Sequence, residues 1–299
     1  MYKEITIEPT TFCGADCIMC ARSKYIQKPE HMNLILFKKC IDECAENGYN
    51  SFLFGGMGDP LANNDIIKMF EYIKESIPNS LIRLTTTGQL LNQKLFKDIC
   101  CYVDVVKFSN YGFTKATYES VHRGSLDFEK VKKNILNFIS FRNEYINKNV
   151  CKNKPYIIMN YLDLKENHHE IEKWIDFWKE KEVDQIDIWK QHNWSGHVGE
   201  ISNVKERMPC SRVLNNSLAI WVDGCVSICC FDCEKKAIVG TIPQDRLKDI
   251  LNSTVVNEYS QIHRKYLNLD CTICLLCDQC YNRENALLKR YKRRNKNEL

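Results

Sequence analysis

Short β-rich runs alternate with longer segments of helical periodicity through the first two thirds of the chain. The predicted strands are Glu4–Glu8, Ser51–Phe54, Leu81–Thr85, Asp104–Ser109, Tyr156–Asn160 and Asp184–Trp189. Helical stretches separate them, among them Leu34–Asn47, Asp65–Ile77 and Glu170–Lys181. Six strand–helix alternations predict a parallel sheet with right-handed crossovers. Because six units are too few to close an eight-stranded barrel, we predict an α/β fold with an open, partial (β/α)6 TIM-like barrel, whose sites lie at the carboxyl ends of the strands.

The pattern changes near residue 200. Two apolar runs, Leu218–Val222 and Cys225–Ile228, flank Asp223–Gly224, a dipeptide typical of a β-hairpin. A helical stretch near Ile250–Leu267 and a cysteine-rich segment follow. We therefore predict a core domain over residues 1–200 and a small cysteine-rich α+β domain over residues 201–285.

A basic tail is predicted over residues 286–299. Six basic side chains lie between Lys289 and Lys296. We expect them to form a solvated helix end or a frayed tail rather than a partner-binding patch.

Composition narrows the function classes. The chain has 299 residues and a formal net charge of +4, which is too mild to indicate a nucleic-acid partner. Residues 1–12 lack a secretory signal, and no apolar run approaches the length of a membrane span. Seventeen cysteines without a signal peptide indicate reduced thiols, as metal ligands or free, rather than disulfides. We expect a cytoplasmic protein with no membrane partner.

The cysteines fall into three groups. Three lie in the loop after the first predicted strand, and nine lie between Cys210 and Cys280. The other five are Cys40, Cys44, Cys100, Cys101 and Cys151. We interpret these five as small hydrophobes of the core.

The first group carries the most information. Cys13, Cys17 and Cys20 have the spacing C-x3-C-x2-C. Three thiolates on one loop can hold three irons of a [4Fe–4S] cluster and leave the fourth iron without a protein ligand. Such an iron can bind a small molecule, which indicates catalysis. A zinc site is the alternative, but zinc favours paired knuckles that supply four ligands. The apolar Met19 can cover the cluster or touch a ligand.

This loop resembles the signature of the radical S-adenosylmethionine (radical SAM) family, in which it follows the first strand. The resemblance implies that a reduced cluster cleaves S-adenosylmethionine (SAM) and that a 5′-deoxyadenosyl radical takes a hydrogen atom from a C–H bond. A glycine-rich loop follows the second strand and resembles the family's Gly-Gly-Glu element, whose backbone holds the ammonium group of SAM. The residues it implies for cofactor binding are Gly55, Gly56, Met57 and Asp59.

Polar residues after the next strands are further cofactor-binding candidates. Thr87 resembles part of a Thr-Asn-Gly stretch found at that position, although its hydroxyl can equally cap a turn. Ser109 and Asn110 end the fourth strand, where similar enzymes contact the ribose or carboxylate of the cofactor. Arg123 can pair with that carboxylate, or it is a surface arginine before a glycine turn.

Lys190, His192, Asn193 and Trp194 follow the sixth strand. Aromatic and polar side chains at this edge suit stacking on an adenine or binding a sugar hydroxyl. We therefore count Lys190 and His192 as cofactor-binding candidates. Packing against the second domain is the alternative.

The third cysteine group resembles the auxiliary-cluster domains called SPASM and Twitch. Cys210 is followed by Gly224, four more residues and Cys229, and later by Cys271-x2-Cys274-x2-Cys277-x2-Cys280. Glu284 stands where a full SPASM domain has another cysteine, which indicates one auxiliary [4Fe–4S] cluster. The predicted ligands are Cys210, Cys229, Cys274 and Cys277.

Three alternatives stay open for these ligands. Cys229 is preferred over Cys230 on glycine spacing alone. A second auxiliary cluster can be built from the remaining cysteines Cys225, Cys233, Cys271 and Cys280. Structural zinc is the third alternative.

We therefore predict a radical SAM oxidoreductase or epimerase. An auxiliary cluster that accepts the substrate electron gives dehydrogenation, and a thiol that returns a hydrogen atom gives epimerisation. Cys230 and Cys225 are the candidate catalytic thiols, with Cys233 and Cys280 as further possibilities. A flavodoxin or ferredoxin is the expected electron donor.

The sequence leaves the substrate class open. The first strand begins within a few residues of Met1, which favours a small carbohydrate or aminocyclitol-like substrate over a ribosomal peptide. Peptide modification is the first alternative. A non-catalytic iron–sulfur electron-transfer protein is an alternative of another class.

Overall fold

The structure is a computed structural model that describes residues 2–26, 28–147, 153–199, 209–265, 273–274, 277–278 and 287–293. Its strands are β1 Glu4–Ile7, β2 Ser51–Phe54, β3 Leu81–Thr86, β4 Val105–Ser109, β5 Tyr156–Asp163, β6 Gln185–Lys190, β7 Ala219–Ile220, β8 Cys225–Ser227, β9 Ile238–Thr241 and β10 Leu287–Lys292. Its α-helices are α1 Arg22–Tyr25, α2 Leu34–Glu46, α3 Ile66–Ser76, α4 Gln93–Tyr102, α5 Lys115–Val121, α6 Phe128–Asn147, α7 Ile171–Lys179, α8 Ser211–Leu214, α9 Leu247–Leu251 and α10 Thr254–Arg264.

The chain folds into two compact units. The first comprises Met1–Cys13, Cys20–Ile82 and His192–Arg283, and the second comprises Gly14–Met19, Arg83–Gln191 and Glu284–Leu299. The boundaries fall inside the first cysteine loop and inside β3. Each unit therefore contains segments that are far apart in sequence.

In the first unit, β1 is the central strand. It pairs in parallel with β2 on one side and with β7 on the other. The antiparallel pairs β7–β8 and β8–β9 extend the sheet, and Asp223–Gly224 connects β7 to β8 as predicted. Helices α2 and α3 cover β2 through Phe37, Phe54 and Phe70, whose rings contact one another at 4.9 and 6.1 Å between centroids.

In the second unit, Arg83–Thr86 of β3 begins a parallel series with β4, β5 and β6. Alternate residues such as Phe108 and Met159 are buried on one face. Helices α4, α6 and α7 supply apolar partners, including Phe138 against Phe108 at 6.0 Å between ring centroids. A polar row crosses the sheet in register through Ser109, Asn160, Asp187 and Arg290.

The six strands predicted for the core are all present, with ends shifted by at most three residues. The helix predicted near Ile250–Leu267 begins later, because α9 ends at Leu251 and α10 begins at Thr254. Leu267 lies outside the described residues. Within the described residues, no helix is both long enough and apolar enough to cross a membrane.

The prediction of a helix end or frayed tail is wrong for residues 287–292. This segment forms β10, which pairs antiparallel with β6. The physical reason is charge pairing, because the Arg290 guanidinium donates to both carboxylate oxygens of Asp187 at 2.7 and 3.0 Å. Residues 294–299 lie outside the described part of the chain.

The scattered cysteines were only partly predicted. Cys40, Cys44 and Cys100 are buried in helices, as expected for core residues. Cys101 is disulfide-bonded, so the expectation of reduced thiols is wrong for this residue. Cys151 lies outside the described residues.

Candidate metal and cofactor sites

The first cysteine loop leaves the end of β1. Cys13, Cys17 and Cys20 are all partly accessible to solvent. In the second unit, the Ile18 N–H donates to the Val121 carbonyl at 3.0 Å and the Asp16 N–H donates to Ser125 Oγ at 2.8 Å. These bonds fix the loop against the end of α5.

Two neighbours of the cysteines were singled out by the sequence. Met19 packs with Val121 and Leu164 in a small apolar cluster, against which Cys17 also packs. Arg123 has a left-handed backbone with φ of 48°. Its Nη1 lies 3.3 Å from Asp16 Oδ2, so this exposed guanidinium does lie beside the cysteine loop.

The glycine loop after β2 packs on the segment that leads into Cys13. A Cβ at Gly58 would lie 2.1 Å from the Thr10 carbonyl oxygen and 2.7 Å from that of Phe12, so only glycine fits. The Asp59 N–H donates to the Phe12 carbonyl at 2.9 Å. Gly55, in contrast, faces open space. A ligand can therefore approach the backbone there.

Asp59 itself turns back into the loop. Its carboxylate accepts the Leu61 N–H at 3.2 Å and caps the 3-10 turn Pro60–Ala62. The side chain is buried. This contact gives Asp59 a structural role in the conformation described.

Glu8, at the end of β1, was missed by the sequence reasoning. Its Oε1 accepts the Met57 N–H at 2.8 Å, and a Cβ at Gly56 would lie 2.7 Å from the same oxygen. Burial raises the pKa of Glu8 to about 7, although backbone N–H groups of Met57 and Val222 oppose the rise. An acidic residue directly after the buried Ile5-x-Ile7 pattern was the available signal.

The strand-end candidates of the second unit differ in what they contact. Thr87 Oγ1 accepts the Gln89 N–H at 3.3 Å, so it caps a turn. Asn110 is buried, and its Oδ1 accepts from Trp174 Nε1 at 2.8 Å. That bond occupies the amide oxygen of Asn110, and cofactor binding by this residue stays a prediction. Ser109 remains on the polar face of the sheet.

Asn160 is a second residue that the sequence reasoning missed. It is 4% exposed and stands opposite Ser109 in the β4–β5 ladder. Its Nδ2 lies 3.4 Å from the Tyr111 hydroxyl, but its buried Oδ1 has no hydrogen-bond partner among the residues described. A buried acceptor of this kind usually has a partner, so Asn160 indicates a donor that is not part of the described chain.

The residues after β6 divide between the predicted alternatives. Lys190 ends the strand and is exposed. His192 and Trp194 contact Phe231 at 4.5 and 5.4 Å between ring centroids. Since Phe231 belongs to the cysteine-rich region, these contacts favour the packing alternative for His192.

The predicted auxiliary ligands all belong to the first unit. Cys274 and Cys277 are buried, and the Cys277 N–H donates to the Cys274 carbonyl at 3.2 Å. Cys229 interacts electrostatically with Cys277, and Cys230 interacts with Cys210. Cys271 and Cys280 lie outside the described residues.

Cys229 and Cys230 hydrogen-bond to each other through their side chains. This bond raises the pKa of Cys229 and lowers that of Cys230, to which the nearby Arg212 guanidinium also contributes. Cys225 and Cys233 are the other two candidate thiols, and Cys225 begins β8. Burial raises the pKa of Cys225, and it also raises that of Cys233, which interacts with Cys20 and Glu8.

The donor chemistry fits iron–sulfur clusters at both places. Thiolates are the ligands of such clusters, and each place offers at least three cysteines. In the described part of the chain, no three His, Cys, Asp or Glu side chains are grouped so as to hold one metal ion. The fit therefore rests on the donor set and, at the second place, on two buried N–H groups, Arg212 Nη1 and His263 Nε2.

Two family profiles match the sequence. The Radical SAM superfamily profile matches residues 7–177. The SPASM profile, described as an iron–sulfur cluster-binding domain, matches residues 210–281. Together they cover the two cysteine groups that carry the metal predictions.

Individual relatives are more distant. The chain is 24% identical over 327 aligned positions to the tungsten-containing aldehyde ferredoxin oxidoreductase cofactor-modifying protein of Pyrococcus furiosus, with 93% of this chain and 88% of that protein covered. It resembles the crystal structure of BtrN in complex with AdoMet and 2-DOIA, with a TM-score of 0.61, 16% identity and coverage of 96% and 99%. It also resembles Streptococcus suis SuiB bound to precursor peptide SuiA, with a TM-score of 0.65, 14% identity and coverage of 93% and 70%. These structural likenesses confirm the predicted fold class.

Proposed function

Because the chain belongs to the radical SAM superfamily and carries a SPASM-type iron–sulfur domain, we propose that it abstracts a hydrogen atom from a small hydroxylated substrate after reductive cleavage of SAM. Its cofactors are a radical SAM [4Fe–4S] cluster, an auxiliary cluster and SAM. We propose dehydrogenation as the outcome of the reaction. We also propose that the chain divides near residue 200 into a core domain and an auxiliary-cluster domain. Reduction by a flavodoxin or ferredoxin in the cytoplasm completes the proposal.

The observation that carries the proposal is the packing of the glycine loop on the segment before Cys13. The Asp59–Phe12 hydrogen bond and the close approach at Gly58 hold this loop at the end of β1. Gly55 keeps its backbone open to a ligand. This arrangement supports the binding of SAM through its amino acid end next to the cysteine loop.

One-electron cleavage of the SAM sulfonium, followed by hydrogen-atom abstraction, is the chemistry that these groups supply when bound. Cys13, Cys17 and Cys20 hold three irons. Backbone carbonyl oxygens at Gly55–Met57 accept hydrogen bonds from the ammonium of SAM. Arg123 is the proposed carboxylate-binding residue of the second unit.

The polar row of the second unit contributes to ligand positioning. Ser109 donates to a ribose oxygen, and Asn160 Oδ1 accepts a hydroxyl of the cofactor or substrate. Thr87, Lys190 and His192 stay as secondary cofactor contacts, because Thr87 caps a turn and His192 packs on Phe231.

The substrate class is proposed from chemistry. Hydroxyl and amide groups line one face of the sheet at Ser109 and Asn160, and such groups suit a polyhydroxylated ligand. The likeness to BtrN bound to AdoMet and 2-DOIA supports a small substrate. The likeness to SuiB with its precursor peptide keeps peptide modification as the second candidate.

Two routes can complete the reaction. In dehydrogenation, the substrate loses a hydrogen atom, and then one electron to the auxiliary cluster and one proton to solvent. In epimerisation, a thiol would return a hydrogen atom to the opposite face of the same carbon, and the thiyl radical left behind would take one electron from the external flavodoxin or ferredoxin donor and one proton from solvent. Cys230 and Cys225 are the proposed thiols, and the interaction of Cys233 with Cys20 makes Cys233 a further candidate.

Formation of 5′-deoxyadenosine tests the proposal. Anaerobically reconstituted protein is reduced with dithionite, incubated with SAM and analysed by mass spectrometry, with carbohydrates, aminocyclitols or peptides added. We expect 5′-deoxyadenosine from the wild type and from Cys100→Ala, but none from the Cys13→Ala/Cys17→Ala/Cys20→Ala variant. A wild-type protein that holds its iron and forms none is an electron-transfer protein instead. Stimulation by peptides alone would transfer the proposal to peptide modification.

A further inference from the structure

Two buried N–H donors near Cys210 have no acceptor among the described residues. They are Nη1 of Arg212 and Nε2 of His263. Both belong to the first unit, on helices α8 and α10 that contact each other. Neither residue was singled out by the sequence.

Arg212 lies in the first turn of α8, which begins directly after Cys210. Its guanidinium interacts electrostatically with Cys230 most strongly, and also with Glu4, Cys229 and Cys210. Arginine stays charged at any ordinary pH. A fixed positive charge therefore lies near two predicted auxiliary ligands, Cys210 and Cys229, and near Cys230, the alternative to Cys229.

His263 is 2% exposed. Its Nδ1 accepts the Cys210 backbone N–H at 3.1 Å. Because Nδ1 is the acceptor, a neutral ring carries its proton on Nε2. That second N–H group is buried and unpaired in the described part of the protein.

Buried N–H groups are almost always paired, because a buried donor without an acceptor loses the hydrogen bonds that it makes in water. Two such donors beside Cys210 indicate an acceptor that is not among the described residues. The sulfurs of a [4Fe–4S] cluster and its thiolates are such acceptors. Hydrogen bonds to these sulfurs and nearby charge are among the factors that set a cluster's reduction potential.

We propose that Arg212 and His263 donate N–H···S hydrogen bonds to the auxiliary cluster and raise its reduction potential, which makes it an acceptor for the substrate electron. The inference rests on the auxiliary cluster of the proposed function. After hydrogen abstraction, the substrate carbon becomes a carbonyl by losing one electron to the oxidised cluster and the hydroxyl proton to water. The added negative charge on the cluster is stabilised by Arg212. An external ferredoxin- or flavodoxin-type acceptor then reoxidises the cluster.

The potential of the auxiliary cluster is measurable without turnover. The Cys13→Ala/Cys17→Ala/Cys20→Ala variant leaves only the auxiliary cluster, whose one-electron reduction is followed by electron paramagnetic resonance in a potentiometric titration. Arg212→Gln removes the charge, Arg212→Lys keeps it, and His263→Asn keeps an acceptor near the Nδ1 position while removing the Nε2 donor. Arg246→Gln is the matched control, because it removes one positive charge from the exposed pair with Glu43 and Glu46 in the same unit.

We expect Arg212→Gln to disfavour reduction at least tenfold, which is 59 mV for one electron. His263→Asn should lower the potential by less, since only a dipole is lost, and Arg212→Lys should retain most of the wild-type value. Unchanged potentials in Arg212→Gln and His263→Asn, or an equal shift in Arg246→Gln, would overturn the inference. If Arg212→Gln fails to retain iron, the potentials of Arg212→Lys and His263→Asn provide the test. A lowered potential in His263→Asn supports the inference, and an unchanged one contradicts it.

The outcomes separate this inference from the proposed function. Normal SAM cleavage with unshifted potentials refutes the roles of Arg212 and His263 alone. A protein that holds no auxiliary cluster in the triple variant refutes the auxiliary-cluster assignment, and the inference with it.

Discussion

The Glu8 carboxylate accepts the backbone N–H of Met57 at 2.8 Å, while the Glu8 side chain is only 2% exposed. The contact joins the end of β1 to the glycine loop after β2. Gly56 lies so close to Glu8 that a side chain there would meet the carboxylate oxygen. Glu8 therefore fixes the conformation of the loop that we propose binds SAM.

Burial makes this carboxylate sensitive to pH. It raises the pKa of Glu8 from 4.5 to about 7, with the Met57 and Val222 N–H groups and Lys235 opposing the rise and Asp223 adding to it. The folded protein therefore holds a proton that the unfolded chain releases between pH 4.5 and pH 7. The contribution of Glu8 to the free energy of unfolding is fully present below pH 4.5. It is lost as pH rises to about 7, which lowers the free energy of unfolding by on the order of 3 kcal/mol.

Glu8→Gln should remove this part of the pH dependence, because glutamine keeps the acceptor oxygen and does not ionise. We expect the free energy of unfolding of the variant to exceed that of the wild type increasingly from pH 5 to pH 8. Urea unfolding under anaerobic conditions measures it. The exposed Glu129→Gln is the matched control. Parallel pH profiles of Glu8→Gln and wild type would refute the prediction.

The glycine loop offers a contrast between folding and binding. Gly58→Ala places a Cβ against the Thr10 and Phe12 carbonyls, so we expect a lower melting temperature. Gly55→Ala meets open space in the protein and should leave the melting temperature unchanged while weakening SAM binding at least tenfold. Thermal melts and equilibrium dialysis with SAM measure the two effects. Equal SAM affinity for Gly55→Ala and wild type would mean that SAM binds elsewhere.

Iron content tests the number of clusters. With one radical SAM cluster and one auxiliary cluster, reconstituted protein should hold about eight irons, four in each cubane. The triple variant of Cys13, Cys17 and Cys20 should hold about four. Iron analysis and electron paramagnetic resonance provide the count. About twelve irons with a third cluster signal would show that Cys225 or Cys233 is also a ligand.

The features that could be predicted from the sequence are those set by residues close together in the chain. Period-two alternation and helical periodicity located β2 at Ser51–Phe54 without error, because each side chain's burial there follows from its position in one element. The hairpin at Asp223–Gly224 was also predicted, since its turn residues are local. Cysteine spacing predicted both metal-binding regions for the same reason.

The sequence did not predict groups defined by contacts between distant segments. Glu8 and Met57 are 49 positions apart, and Cys210 and His263 are 53 apart. Nor did the sequence show that α7 brings Trp174 to the amide oxygen of Asn110. The basic segment looked solvated because its acidic partner, Asp187, lies about a hundred positions earlier.

The Arg290–Asp187 pair should stabilise β10 against β6. Asp187 is 3% exposed, so Arg290→Met leaves a buried carboxylate without its cation, and we expect a loss of about 3 kcal/mol in the free energy of unfolding. Lys289→Met is the matched control in the same strand, because its pair with Glu172 is exposed and should contribute at most about 1 kcal/mol. Urea unfolding measures the free energy of unfolding of both variants. Equal losses would show that the buried Arg290–Asp187 pair stabilises the protein no more than the exposed Lys289–Glu172 pair.

The isotopic composition of the product distinguishes the two proposed outcomes. If the auxiliary cluster takes the electron, the product is two hydrogens lighter than the substrate and gains no deuterium at carbon in heavy water. If a thiol donates instead, the mass is unchanged in ordinary water, and one deuterium appears at the reacting carbon in heavy water. Mass spectrometry of the product formed from the true substrate in each solvent distinguishes the two outcomes.

Cysteine variants then identify the thiol. Cys225→Ala, Cys230→Ala and Cys233→Ala should each leave dehydrogenation intact when they retain the auxiliary iron, because no thiol hydrogen is needed on that route. We expect this result, since buried positive charge at Arg212 near Cys210, Cys229 and Cys230 favours a cluster that accepts an electron. Loss of deuterium incorporation in one of these variants, with iron retained, would instead assign that cysteine as the hydrogen donor of an epimerase.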